Sequence, residues 1–160
     1  MIKYVDYDIV FQEVPGEVSL ALNISNCPHR CEGCHSPHLR ENIGEDLERD
    51  LPMLLEKYKG MITCVLFLGE GKDWSALTHC QNMCYVSGLK TAVYTGTELN
   101  PPFSYWDTDE FGTPDYLKTG PYKKELGGLS SPNTNQRMYR RNAETKRYDD
   151  ITYMFWRKPE

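Results

Sequence analysis

Cys64-Val65-Leu66-Phe67-Leu68 is an unbroken apolar run held between Thr63 and Gly69. A strand without polar alternate positions offers no face to water, which is the pattern of a parallel sheet covered on both sides. The neighbouring segments agree with that reading. Val18, Leu20, Leu22 and Ile24 alternate with Ser19, Ala21 and Asn23, predicting a strand over Val18 to Ile24 with an apolar face and a small, polar one. Leu47, Leu51, Leu54, Leu55 and Tyr58 recur at helical spacing; Pro52 disturbs that helix unless it falls in the first turn after Asp50. Asp73 can cap a helix that starts at Trp74, and Gly88 can end it. Thr91 to Thr95 predicts a third strand, closed by Gly96. Strand, helix, strand, helix, strand is the rhythm of an α/β domain.

Beyond residue 97 the pattern weakens. Pro101, Pro102 and Pro114 with scattered aromatics predict a helix-poor connection or a short helix over 98–114. Tyr116-Leu117-Lys118 suits a fourth strand, and Gly127 to Gln136 is a loop rich in Gly, Ser, Asn and Pro. Ile151, Tyr153 and Phe155 alternate with Thr152, Met154 and Trp156, predicting a terminal strand. The expectation is an α/β fold of about five strands, mostly parallel, in a single domain over residues 1–160. At 160 residues the chain is too short for a complete eight-stranded β/α barrel, which takes about 250. Eighteen Lys and Arg against 23 Asp and Glu give a net charge of −5, so no nucleic-acid partner is expected. No window approaches the roughly 18 apolar residues of a membrane helix, and no membrane association is expected.

Six cysteines are the unusual component. Met1-Ile2-Lys3-Tyr4-Val5-Asp6 lacks the basic stretch and apolar run of a signal peptide, so the expected compartment is a reducing cytoplasm. There, cysteines at short spacing more often bind metal than form disulfides. Cys27, Cys31 and Cys34 stand in a C-x3-C-x2-C loop directly after the Val18–Ile24 strand. Three thiolates on one loop can converge on a single metal centre. In an iron–sulfur cubane they leave one iron without a protein ligand, open to a substrate or cofactor. A zinc site using the same cysteines with His29, His35 or His38 is the alternative. The spacing alone leaves both open.

Phe67-Leu68-Gly69-Glu70-Gly71 follows the apolar run. Glycines at a strand end let backbone approach a ligand closely, and Glu70 adds a carboxylate that could meet an amino group. An ordinary strand-to-helix turn would look the same.

Taken together these residues resemble the radical S-adenosylmethionine enzymes. The chain is most similar to the glycyl-radical-enzyme activases that serve anaerobic ribonucleoside-triphosphate reductase. The resemblance spans most of the length. It rests on Phe11-Gln12-Glu13-Val14-Pro15-Gly16, Asn26-Cys27-Pro28-His29-Arg30-Cys31, Gly33-Cys34-His35-Ser36-Pro37 and Tyr94-Thr95-Gly96, and later on Asp115 to Tyr122 and Asn133 to Arg137. It implies an open partial (β/α) barrel, with Cys27, Cys31 and Cys34 holding one 4Fe–4S cluster that chelates S-adenosylmethionine. Gly33, Cys34 and His35 would lie beside that cofactor, and the Gly69-Glu70 turn would meet its amino group. The implied activity is generation of a 5′-deoxyadenosyl radical that installs a glycyl radical on a partner, anaerobic ribonucleotide reductase. The implied electron donor is a flavodoxin. Two departures stand out: Gly33 precedes the third cysteine where an aromatic residue is frequent, and Leu68-Gly69-Glu70 replaces a Gly-Gly-Glu turn. Pyruvate formate-lyase or another glycyl-radical enzyme is an alternative partner, and a non-catalytic zinc-binding interaction module is the alternative class.

The other residues have plainer readings. Cys80 and Cys84 fall on one helix face and Cys64 opens the buried strand, so all three are expected to pack in the core. His79 is expected to face solvent. Arg137, Arg140, Arg141, Lys146 and Arg147 form a basic stretch suited to a solvated face or an acidic partner. Tyr94, Tyr105, Trp106 and Phe111 could serve an interface or the core.

Overall fold

The computed structural model describes residues 1–27, 37–98 and 113–156. Its strands are β1 (Lys3–Val10), β2 (Ser19–Ile24), β3 (Glu45–Asp46), β4 (Cys64–Leu68), β5 (Lys90–Tyr94), β6 (Tyr116–Thr119), β7 (Arg137–Arg141) and β8 (Tyr148–Asp150). Among the described residues there are two α-helices, α1 (Leu47–Lys57) and α2 (Trp74–Val86), and short 3-10 turns at Pro37–Arg40 and Thr152–Phe155. The strands form one sheet in the order β3-β1-β2-β4-β5-β6-β7-β8.

Local chemistry accounts for the helices. Asp46 caps α1, its carboxylate accepting from the Arg49 amide at 3.4 Å. Leu47, Leu51, Leu54 and Leu55 put the buried stripe of α1 on the sheet. Pro52 is the sixth residue of α1, beyond the first turn, and the helix continues through it. Pro52 lies on the exposed side, where water can take the Glu48 carbonyl that loses its partner. Asp73 caps α2 through the Ala76 amide at 3.0 Å. At the other end the Leu89 amide donates to the Cys84 carbonyl and the Gly88 amide to that of Tyr85, both at 3.0 Å. This pair of bonds is a Schellman ending.

Two cores lie on opposite sheet faces. Leu20, Leu22, Ile24, Val65, Phe67, Val93 and Leu117 meet α1 and α2 on one face. Ala21, Cys64, Leu66, Ala92, Tyr116 and Met138 look the other way, against Val14 and Ile151 with Leu129 and Phe155. Covering segments rather than helices close that second face. The Trp156 indole donates to the Leu129 carbonyl at 2.9 Å and lies under Arg137, 5.8 Å from the guanidinium. β4 is therefore buried on both sides, as its composition requires. β2 is also covered on both sides: Ser19 and Ala21 sit in core rather than facing water.

The expectation of a mostly parallel, open partial (β/α) barrel is overturned. Parallel pairing is confined to β2-β4-β5-β6, while β1–β2, β1–β3, β6–β7 and β7–β8 are antiparallel, four of seven pairings. The fold is a mixed eight-stranded sheet with two helices on one face. Three strands account for the difference. β1 precedes the first predicted strand and returns as a hairpin, Val10 pairing with Ser19. β7 and β8 form a second hairpin within the basic stretch, Arg141 pairing with Tyr148. The predicted terminal strand at Ile151–Phe155 is a 3-10 turn, and the strand stops at Asp150 because its carboxylate binds the Thr152 amide at 2.9 Å and hydroxyl at 2.6 Å. The connection expected over 98–114 falls largely outside the described residues.

Candidate functional site

The four parallel strands run level at their carboxyl ends: Asn23 pairs with Leu68, Leu68 with Tyr94, and Tyr94 with Lys118. The residues that leave these strands therefore share one edge, where open α/β sheets bind ligands. From β2 come Ser25, Asn26 and Cys27; from β4, Gly69, Glu70 and Gly71; from β5, Thr95 to Thr97; from β6, Gly120.

Cys27 is half-buried at the foot of its loop. Its amide donates to the Leu39 carbonyl at 2.9 Å, and the Asn26 amide to that of Glu41 at 2.8 Å. Asn26 takes φ +60°, a left-handed turn that an asparagine tolerates. The Ser25 hydroxyl donates to the Ile43 carbonyl at 2.5 Å. These bonds tie the outgoing chain to the returning one, so the cysteine loop springs from a closed base. Cys31, Gly33, Cys34 and His35 lie outside the described residues.

The turn after β4 packs on that base. Gly69 has φ +115°, and a Cβ built on it would lie 3.4 Å from the Ile24 carbonyl oxygen. Gly71 has φ +63°, its position for a Cβ 3.4 Å from Ile24 Cγ2 and 3.7 Å from the Ser25 oxygen. Between them Glu70 is 5% exposed and accepts from the Thr97 hydroxyl at 3.5 Å. Thus the Glu70 carboxylate is held inside the edge next to the strand that launches Cys27.

Lys118 is the functional candidate that sequence reading passed over. It is buried on β6, its ammonium donating to the Gly120 carbonyl at 3.1 Å and the Thr95 carbonyl at 3.5 Å. It also lies 5.6 Å from the centre of the Tyr94 ring. Burial pushes the Tyr94 phenol upward, and its hydroxyl donates to the Glu13 carbonyl. The Gly120 carbonyl takes a further bond from Gln136 Nε2 at 3.3 Å, and the Gly120 amide donates to the Thr97 carbonyl at 2.9 Å. Glu70, Thr97, Gly120, Lys118 and Tyr94 are consequently one connected set. The available signal was a lysine in an otherwise apolar strand just before Gly120.

The remaining cysteines are core. Cys64, Cys80 and Cys84 have no exposed surface and form no disulfide. Burial pushes the Cys64 and Cys80 thiols up to about 12 and the Cys84 thiol higher still, which keeps them protonated and poor metal ligands. His79 faces outward and meets Glu48 at 2.6 Å. Among the described residues no three His, Cys, Asp or Glu side chains gather as a metal site, but only Cys27 of the cysteine trio is among them. No helix among the described residues is long and apolar enough to cross a membrane. No family model, curated protein or solved structure matches the chain.

Proposed function

We propose that this protein is a radical S-adenosylmethionine activase that installs a glycyl radical on a partner enzyme of the anaerobic ribonucleotide reductase type. The carrying observation is the shared edge: Cys27 leaves β2 beside Gly69-Glu70-Gly71 at the end of its hydrogen-bonded neighbour β4. The donor set suits the 4Fe–4S group, since three thiolates from one closed-based loop leave the fourth iron for S-adenosylmethionine. When bound, the cluster supplies the electron that splits the cofactor into methionine and a 5′-deoxyadenosyl radical, which then takes a hydrogen atom from the partner's glycine.

The chain's own residues do the rest. Gly69 and Gly71 carry no side chain where the cofactor's amino group would pass, and buried Glu70 supplies the compensating negative charge. Gly33, Cys34 and His35 flank the cofactor in this reading. Lys118 ties the ends of β5 and β6 so that Thr97 stays against Glu70.

Anaerobic reconstitution followed by dithionite and S-adenosylmethionine tests the reading. The expected result is a brown protein with about four irons per chain that releases 5′-deoxyadenosine. Cys31→Ala loses the iron, whereas Cys80→Ala keeps it. A colourless protein holding one zinc would overturn the reading in favour of a zinc-binding module.

A further inference from the structure

The reaction proposed above consumes one electron for each cofactor cleaved, and none of the described side chains can supply it. A donor must therefore approach the cysteine loop from outside. One surface beside that loop has the character to receive it. A crevice of about 530 Å³ is lined by Lys3, Asn26, Asn42, Lys72, Asp73 and Trp74, with Met1 at its margin. Asn26 is the residue before Cys27, and Lys72 directly follows the Glu70-Gly71 turn, so the crevice borders both halves of the candidate site.

Its electrostatics oppose those of the whole chain. The net charge is −5, yet neither the Lys3 nor the Lys72 ammonium makes an ion pair or hydrogen bond among the described residues. The one carboxylate present, Asp73, is engaged in capping α2 through the Ala76 amide. Asn26 and Asn42 add carboxamides, and Trp74, 46% exposed, adds an aromatic surface of the kind enriched at the centre of interfaces. The crevice is polar and open, unlike the apolar clefts that enclose small ligands. Small, charge-steered contacts of this character are typical of transient electron-transfer complexes.

We propose that the crevice formed by Lys3, Asn26, Asn42, Lys72 and Trp74 is the docking surface for an acidic flavin protein that delivers one electron to the cysteine loop. The proposal rests on the functional reading above. In the transfer the reduced flavin loses one electron, and that electron leaves with the sulfur–carbon bond of the cofactor as methionine and the adenosyl radical form.

The test uses the full chain with an acidic flavodoxin, in two arms. In the first, oxidised flavodoxin is titrated into cluster-free protein at low and high salt. Lys3→Glu/Lys72→Glu should weaken binding about ten-fold at low ionic strength, with the difference collapsing at high salt. Lys3→Arg/Lys72→Arg should bind as the parent does, and Lys72→Glu alone, at an exposed position, provides a variant that keeps its fold. In the second arm, cluster-loaded proteins are driven by reduced flavodoxin or by dithionite. The charge reversals should slow the flavodoxin-driven release of 5′-deoxyadenosine about ten-fold and leave the dithionite-driven release unchanged. Unchanged flavodoxin affinity in Lys72→Glu and the double variant overturns the docking surface alone. Loss of inorganic triphosphate binding in those variants, with flavodoxin affinity intact, overturns it in favour of a small-anion site. No 5′-deoxyadenosine from the loaded parent with dithionite sinks the functional reading and the proposal with it.

Discussion

Replacing Gly69 by alanine tests how the β4 turn is built. Gly69 holds φ +115°, outside the wells that residues with a Cβ occupy, and such strain costs about 1–3 kcal/mol. The added methyl would touch the Ile24 oxygen at 3.4 Å and Ile24 Cβ at 3.5 Å, ordinary contact distances, so strain is the whole penalty. Gly71 gives an internal comparison. Its φ of +63° lies in the left-handed well, where alanine costs about 1–2 kcal/mol. Gly69→Ala should therefore be the more destabilising change. With a urea dependence of about 2 kcal/mol per M, a loss of about 2 kcal/mol lowers the midpoint by about 1 M. Both variants should still fold, since domains hold roughly 5–15 kcal/mol. Urea titrations of the two variants beside the parent decide the matter. A Gly69→Ala midpoint equal to the parent's, or one above that of Gly71→Ala, would refute the argument.

Other expectations concern the remaining elements. Burial opposes ionisation of Asp150, but bonds from the Thr152 hydroxyl and amide and from Arg137 outweigh it and hold the carboxyl below its ordinary range. A depressed carboxyl stabilises above its unfolded pKa, so Asp150→Asn should lose about 1 kcal/mol at pH 7, allowing for partial exposure. That deficit should shrink as pH falls below about 4, in denaturation midpoints taken across pH. Cys64, Cys80 and Cys84 should resist a thiol reagent in the folded protein and react together on unfolding; fast labelling of any of them in the native state contradicts their burial. Pro52→Ala should restore the α1 bond to Glu48 and raise stability by about 1–3 kcal/mol, read as an increased thermal midpoint.

What could be read in advance follows from how each residue earns its place. The β4 run and both helix caps were legible because each depends on its own few residues: Asp73 with Ala76, Gly88 with Leu89. β1 was not, because Lys3, Asp6 and Asp8 interrupt its apolar side chains near the sheet margin. β7 was read as charge alone, although Met138 and Tyr139 between its arginines are the buried pair. Such strands are fixed by cross-strand partners distant in sequence, which local periodicity does not contain. At the site, Gly69 and Glu70 were recognisable as a turn. Lys118 was not, since its value comes from carbonyls on two other loops.

The sheet order also has a consequence for how the chain reaches its fold. The outer hairpins join near neighbours: Val10 meets Ser19, and Arg141 meets Tyr148. The parallel centre joins distant ones, Ser19 with Cys64 and Cys64 with Lys90, each across an intervening helix. Loop-closure entropy must be met before those central contacts stabilise anything, so the hairpins can form early and the centre sets the folding rate. The edge that brings Cys27 and Glu70 together is then created in the slowest step, when β4 docks against β2. Until that moment the cysteine loop has no Gly69-Glu70 wall beside it, and metal offered to the nascent chain meets thiols without their site.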